Sequence, residues 1–145
     1  MKILVDADAC PVKNIIVKIA REYKVPVVMF IDTSHTLDDG YSEIIVVDKG
    51  ADSVDIALIN KLSKGDIVVT QDYGVAAMAL PKGANAINQN GLVYTAENID
   101  KLLFERFLSQ KVRRSGGRTA NVRKRNNDDD ERFERAFREL CKKSS

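Results

Sequence analysis

Short runs of consecutive apolar residues alternate along this chain with segments of helical periodicity. Lys2–Val5 (KILV), the run PVVMFI after Val25, IIVV at 44–47 and DIVVT at 66–70 are near-continuous apolar stretches, with a weaker one, NAI, at 85–87. They show no period-two alternation, so each predicts a strand buried on both faces. Between them, Val12, Ile15, Ile16 and Ile19 recur at helical spacing and predict a helix over 11–24, with Pro11 at its first position. Val54, Leu58 and Leu62 predict a second helix over 52–63, closed by Gly65. The segment GVAAMAL (74–80) predicts a third. Ile99, Leu102, Leu103, Phe107 and Leu108 predict another over 97–111, and Phe133, Phe137, Leu140 and Cys141 a last one over 131–142. Strands separated by helices predict an α/β domain with a mainly parallel sheet covered on both faces, the fourth strand beside the first.

At 145 residues, with 44% apolar and 30% charged positions, the chain suits one soluble domain with a sizeable core. No run reaches the length of a membrane span, and the N-terminal apolar run stops at Asp6, which speaks against a signal peptide and a membrane partner. Two cysteines, Cys10 and Cys141, suit a reducing cytoplasm, with each thiol structural. Charge divides the chain: residues 1–110 carry a net −4 and residues 111–145 a net +6. The segment 111–130 holds two glycines and almost no apolar side chains. The expected organisation is an α/β domain over 1–110, a basic flexible segment over 111–130 and a C-terminal helix over 131–145.

The chemistry gathers in "VDADACP". Asp6 and Asp8 follow the first strand; Asp32, Asp48 and Asp72 follow later ones; Asp52 and Asp55 begin the second helix. Singly, each fits a helix cap or an acid favoured by the helix dipole, and Asp32 and Asp48 are read that way. Open parallel sheets, however, bind ligands at the carboxyl ends of their strands. With the first and fourth strands adjacent, Asp6, Asp8 and Asp72 converge with Asp52 and Asp55. Such carboxylates repel, and a bound cation or a captured proton relieves them. Oxygen ligands point to Mg²⁺ or Mn²⁺, a site suited to phosphoryl chemistry without a catalytic histidine. His35, the sole histidine, sits in a polar loop.

"VDADACP", "GADSVDIALI", "GDIVVTQDYGVAAMAL" and "GANAINQNG" together resemble the bacterial YaiI/YqxD family, in order over most of residues 1–95. "SGGRT" (115–119) resembles that family's C-terminal segment, although Ala120-Asn121 stands where a Gly-Pro often follows. The family's fold is similar to PIN and NYN domains, metal-dependent ribonucleases with a three-layer α/β/α sheet. The resemblance implies such a PIN-like fold with a nuclease-like site: Asp6 as the first-strand acid, Asp52 or Asp55 as the mid-chain acid, and Asp72 as the acid of a T-x-D turn. Asp8 joins them on geometry. The expected catalytic set is Asp6, Asp8, Asp55 and Asp72, with Asp52 added as a metal ligand.

Seven Lys/Arg and no acid lie between 111 and 125. They read either as a solvated linker or as a clamp on a phosphate backbone, RNA or another phosphodiester, held through counterion release. Arg113, Arg114, Arg118, Arg123, Lys124 and Arg125, with Thr70 at the end of the fourth strand, form the expected substrate-binding set. Oligomeric state is not legible. Two other functions share parts of the pattern: a non-catalytic RNA- or nucleotide-binding protein retaining the acidic pocket, and a haloacid-dehalogenase-type phosphatase, which uses a first-strand D-x-D and a strand-ending Thr such as Thr70.

Overall fold

The computed structural model describes residues 1–32, 37–48, 53–116 and 124–144. Strands β1 (Ile3–Asp6), β2 (Val27–Asp32), β3 (Glu43–Val47), β4 (Ile67–Val69) and β5 (Asn85–Ile87) alternate with helices α1 (Lys13–Tyr23), α2 (Ser53–Lys61), α3 (Tyr73–Ala79) and α4 (Ala96–Arg114). Helix α5 (Asn127–Ser144) closes the chain. Every ladder is parallel, and the strand order is β3-β2-β1-β4-β5. The fourth strand lies beside the first, as the sequence predicts. Connections run outward one way through β2 and β3, then the other way through β4 and β5. The order therefore reverses between β1 and β4, where a doubly wound sheet opens a crevice.

The absence of period-two alternation has a direct cause: both sheet faces are covered. Ile3, Val5, Met29, Ile31, Ile67 and Val69 share one core with α1 and α5. Their neighbours Leu4, Val28, Phe30 and Val68 share the other with α2, α3 and the start of α4. Alternate residues of a strand point to opposite faces, so both sets are apolar and the domain has three layers, α/β/α. Helix α5 belongs to the first core: Phe133, Phe137 and Cys141 are fully buried there, and the two phenyl rings stack at 5.2 Å.

Two local differences from the sequence reading bear on the site. Helix α1 begins at Lys13, not Pro11, because Ala9 takes a left-handed φ of +60° and the chain turns twice before the helix starts. Of the apolar stripe on α4, Ile99 is buried and Leu102 and Leu103 partly so, whereas Phe107 and Leu108 are exposed. Periodicity marks an apolar face, but here the helix runs on past the body that covers its first half. No helix among the described residues is long and apolar enough to cross a membrane.

Candidate functional site

The crevice between β1 and β4 is built by the ends of both strands. Asp6 is the last residue of β1, paired across the ladder with Phe30. Two residues on, Asp8 turns back toward the sheet, and its Oδ2 accepts the backbone N–H of Asp32 at 3.0 Å. This ties the end of β1 to the end of β2. On the other side, Thr70 follows β4 and is 2% exposed. Its Oγ1 accepts the backbone N–H of Asp72 at 3.0 Å and donates toward Asp6 Oδ2 at 3.4 Å. The buried Tyr94 hydroxyl donates to the Thr70 carbonyl at 3.2 Å, fixing this strand end from behind. Thr70 thus sits beneath the acids and links two of them. It does not face solvent as a substrate-binding group would.

Asp72 is the N-cap of α3. Its Oδ1 accepts the N–H groups of Gly74 at 2.7 Å and Val75 at 3.3 Å. A Cβ on Gly74 would stand 3.0 Å from that oxygen, so glycine there leaves room for the cap. Capping and site membership coincide in this residue: the cap uses Oδ1, while Asp72 also lines the cleft. Asp55 stands in the first turn of α2.

The carboxylates are close enough to feel one another. Burial, reinforced by the charges of Asp55, Asp8 and Asp72, pushes the Asp6 carboxyl up to about 6, against a partly offsetting bond from Thr70. This is the electrostatic signature of like charges gathered at a half-buried point. Asp6, Asp8, Gln71, Asp72 and Arg106 line a cleft of about 330 Å³. Arg106, from α4, brings a cation to this acidic opening, and sequence reasoning missed it. Helical spacing puts Arg106 two turns after Ile99, on the same face as Ile99, Leu102 and Leu103, but nothing along the chain says that this point of α4 reaches the acidic cleft.

Two further depressions join this cleft. One shares Arg106 and includes Tyr73, Gln110 and Arg113. The other shares Ala9 and Gln71 and includes Gln89, Asn90 and Arg125. Of the basic set expected to hold substrate, Arg113 therefore lies beside the acids on one side and Arg125 on the other. Arg125 is fully engaged: its guanidinium bonds Asp130, the Asn90 side chain and the Gln89 carbonyl. It clasps a loop to α5 and is not a freely offered phosphate clamp. Arg114 ends α4 and is exposed, and Lys124 precedes α5. Asp52, Arg118, Arg123, the SGGRT turn beyond Gly116, and His35 lie outside the described residues. Cys10 is buried beside the site, and burial raises its thiol above the usual range, as expected of a structural thiol.

The donors around the cleft are carboxylate oxygens, which suit a hard divalent cation. Among the described residues, no three His, Cys, Asp or Glu side chains are grouped to hold one ion by themselves. Mg²⁺ does not need such a cage; it keeps several waters and is commonly held through one or two carboxylates and a substrate phosphate. Asp6, Asp8 and Asp72 meet that lesser requirement.

The family model described as "Uncharacterized BCR, YaiI/YqxD family" matches residues 4–143. The chain belongs to the YaiI/YqxD family. Among its relatives, a UPF0178 protein of Ruminiclostridium cellulolyticum is 66% identical over 94% of this chain and 90% of its own. One from Clostridium acetobutylicum is 55% identical over 97% and 96%, and one from Lachnoclostridium phytofermentans is 53% identical over 100% and 99%. These similarities span both the YaiI/YqxD body with its crevice and the C-terminal helix. No solved structure matches significantly.

Proposed function

We propose that this YaiI/YqxD protein is a divalent-metal-dependent, PIN-like nuclease that hydrolyses a phosphodiester, in RNA, at the crevice between β1 and β4. The observation that carries the reading is the convergence of Asp6, Asp8 and Asp72 on one cleft at the switch point of the sheet, where burial and the charges of Asp55, Asp8 and Asp72 raise the Asp6 carboxyl. A group of carboxylates that disfavours its own charge is a functional-site candidate on physical grounds. Mg²⁺ or Mn²⁺ would be held through one or two of the carboxylates of Asp6, Asp8 and Asp72, with Asp55 and the sequence-predicted Asp52 as alternative ligands, and would supply positive charge to a phosphoryl group there.

The residues of the chain divide the remaining work. Arg106 at the rim attracts the phosphate and balances charge on its oxygens. The proton released as water attacks phosphorus passes to the carboxylate among Asp6, Asp8, Asp55 and Asp72 that the metal leaves uncoordinated. The bond from phosphorus to the leaving oxygen breaks, and that oxygen takes its proton from solvent. Thr70 holds Asp6 and Asp72 in register beneath the reacting atoms. Arg113 flanks the cleft as a phosphate contact for the neighbouring nucleotide, and Arg114, Arg118, Arg123 and Lys124 add long-range attraction to the polyanion.

A second reading has its own support. Because the described carboxylates do not group into a self-sufficient metal cage, the same groove suits a protein that binds RNA or nucleotides without cutting. One experiment separates them: incubation of a mixed RNA pool with Mg²⁺ or Mn²⁺, for the unmodified protein and Asp6→Asn, with binding measured in parallel. Cleavage lost in Asp6→Asn with affinity retained supports hydrolysis. Binding with no metal-dependent cleavage by the unmodified protein supports the binding module. Full activity in Asp6→Asn excludes the mechanism, and turnover of small phosphomonoesters through an aspartyl-phosphate on Asp6 or Asp8 turns the assignment to a phosphatase.

A further inference from the structure

Helix α4 has two apolar faces, and the protein covers one of them. Ile99, Leu102 and Leu103 pack against the body. Phe104, Phe107, Leu108 and Val112 are 61%, 56%, 44% and 42% exposed. At about 3.6 residues per turn, these four cluster on the side of the helix away from Ile99. Single exposed apolar side chains are ordinary, but a contiguous patch marks an interaction surface. Residues 33–36, 49–52, 117–123 and 145 lie outside the described ones, and Val122 is their only large apolar side chain. They hold too little apolar surface to cover the patch.

The exposed face also has a shape. Leu108, Lys111, Val112 and Ser115 line a depression of about 260 Å³ on it. Their spacing is i, i+3, i+4 and i+7, that of the hole which receives one side chain from a facing helix in coiled-coil packing. Phe104, one turn earlier on the same face, has the size to fill it. Side chains of a helix lean toward its N-terminus, so Phe104 leans away from the hole on its own helix. A second copy, running antiparallel, supplies the ring. When Phe104 of each copy enters the hole of the other, Phe107 and Leu108 of both copies meet at the two-fold axis.

Charge favours the same direction. Asp100 and Arg114 flank Phe107 one heptad to either side, and both are exposed. Fourteen residues separate them, about 21 Å along one helix, too far to pair. In the antiparallel register Asp100 of each copy faces Arg114 of the other, so the pair forms twice. A parallel register sets acidic end beside acidic end and basic beside basic. Lys101 and Glu105, the neighbouring charges, approach each other within the helix at 3.9 Å.

We infer that the second half of α4 docks antiparallel on the same helix of a second copy of this chain, forming a two-fold dimer. The inference does not depend on the nuclease reading. Arg106 lies on the opposite face with Ile99, so the pairing leaves it at its own cleft. One helix pair is at the small end of specific interfaces, so the expected dissociation constant is on the order of 10 µM.

The test is sedimentation of the unmodified full chain from about 1 to 200 µM, a range that brackets such a constant. The mass is expected to rise from 16.1 kDa toward twice that value. Phe104→Gln is expected to weaken the dimer about tenfold or more. Asp100→Arg and Arg114→Asp each set like charges together twice, and each is expected to weaken it about tenfold, less so at high salt. The two combined reverse the pair and should return the constant to within about threefold of the parent. A protein that stays monomeric throughout overturns the inference. So does a dimer that Phe104→Gln leaves intact, a charge reversal that its partner does not repair, or a mass that grows beyond the dimer. A monomer whose RNA binding falls in Phe104→Gln also overturns it and makes this face a nucleic-acid platform. The first reading needs no variant, and the charge swap uses exposed positions, so the test decides even if Phe104→Gln folds poorly.

Discussion

The backbone amide of Asp72 rests on the hydroxyl of Thr70, 3.0 Å away, and the same hydroxyl reaches Asp6 across the β1–β4 boundary. One buried oxygen thus couples the acid of the first strand to the acid that caps α3. Thr70→Val keeps the shape and removes the oxygen, leaving the Asp72 N–H without its acceptor. The expected cost is about 1–3 kcal/mol in urea unfolding. Thr70→Ser restores the bond and recovers most of that loss. If Val and Ser variants unfold at the same midpoint, the hydroxyl is not the coupling element.

The acids also set a pH dependence. The Asp6 carboxyl lies at about 6 in the fold, against 3.8 when unperturbed. Between these values the folded protein holds a proton that the unfolded chain has lost. The metal-free protein therefore loses stability as pH rises from about 4 to 6, and the loss is complete above that range. The change is at most about 3 kcal/mol, and solvent screening at this half-buried group reduces it. Asp6→Asn removes the charge, so its melting temperature should exceed that of the unmodified protein at pH 7, and the difference should close near pH 4 as the protonated parent regains stability. A variant less stable than its parent at pH 7 contradicts the repulsion.

Gly91 marks where the loop 88–91 meets α5. Its φ is +89°, and a Cβ there would lie 2.6 Å from the Arg132 carbonyl oxygen. Both the backbone conformation and the approach demand glycine. Gly91→Ala should cost more than about 2 kcal/mol and expose the α5 region, with Phe133 and Phe137, to proteolysis ahead of the sheet. Proteolysis of the variant at the same sites and rate as the parent would show that α5 docks without this contact.

The strands were legible because burial on both faces leaves nothing polar inside them: Ile3-Leu4-Val5 serves two cores at once. The switch point followed from the βαβ alternation, and with it the grouping of Asp6, Asp8 and Asp72. Residues joined only by tertiary geometry were not legible. Arg106 lies on a helix that crosses the crevice, and Arg125 reads as a free basic residue until Asp130, Asn90 and Gln89 are seen around it. Phe107 and Leu108 satisfy helical spacing yet remain exposed, since periodicity records an apolar face and not its cover. Asp72 illustrates the opposite limit: in sequence a cap and a site acid read as alternatives, whereas the side chain that caps α3 also lines the cleft.

Divalent metal gives the cleanest separation of those two roles. Mg²⁺ or Mn²⁺ should raise the melting temperature of the unmodified protein by mass action, increasingly with concentration. Asp72→Asn retains a capping oxygen, and Asn caps a helix about as well as Asp, so the metal-free variant should be no less stable than its parent. Its response to metal should be largely lost. A variant that keeps the full metal response reduces Asp72 to a cap, and an unmodified protein with no response removes the metal from the proposal.

Arg106 supplies the last prediction. It lines the acidic cleft and the neighbouring depression with Arg113, so a phosphate at the carboxylates lies beside it. Arg106→Gln should weaken binding of a single-stranded RNA and reduce the slope of log affinity against log salt by about 0.7, the share of one phosphate contact. Arg106→Lys keeps the charge but not the planar fork, and should restore the slope while recovering affinity only in part. Arg106 is exposed, so both changes should move the melting temperature little. A salt slope unchanged in Arg106→Gln would mean that the strand does not pass the mouth of the crevice. The nucleic acid would then be held elsewhere on the basic C-terminal segment, away from Asp6.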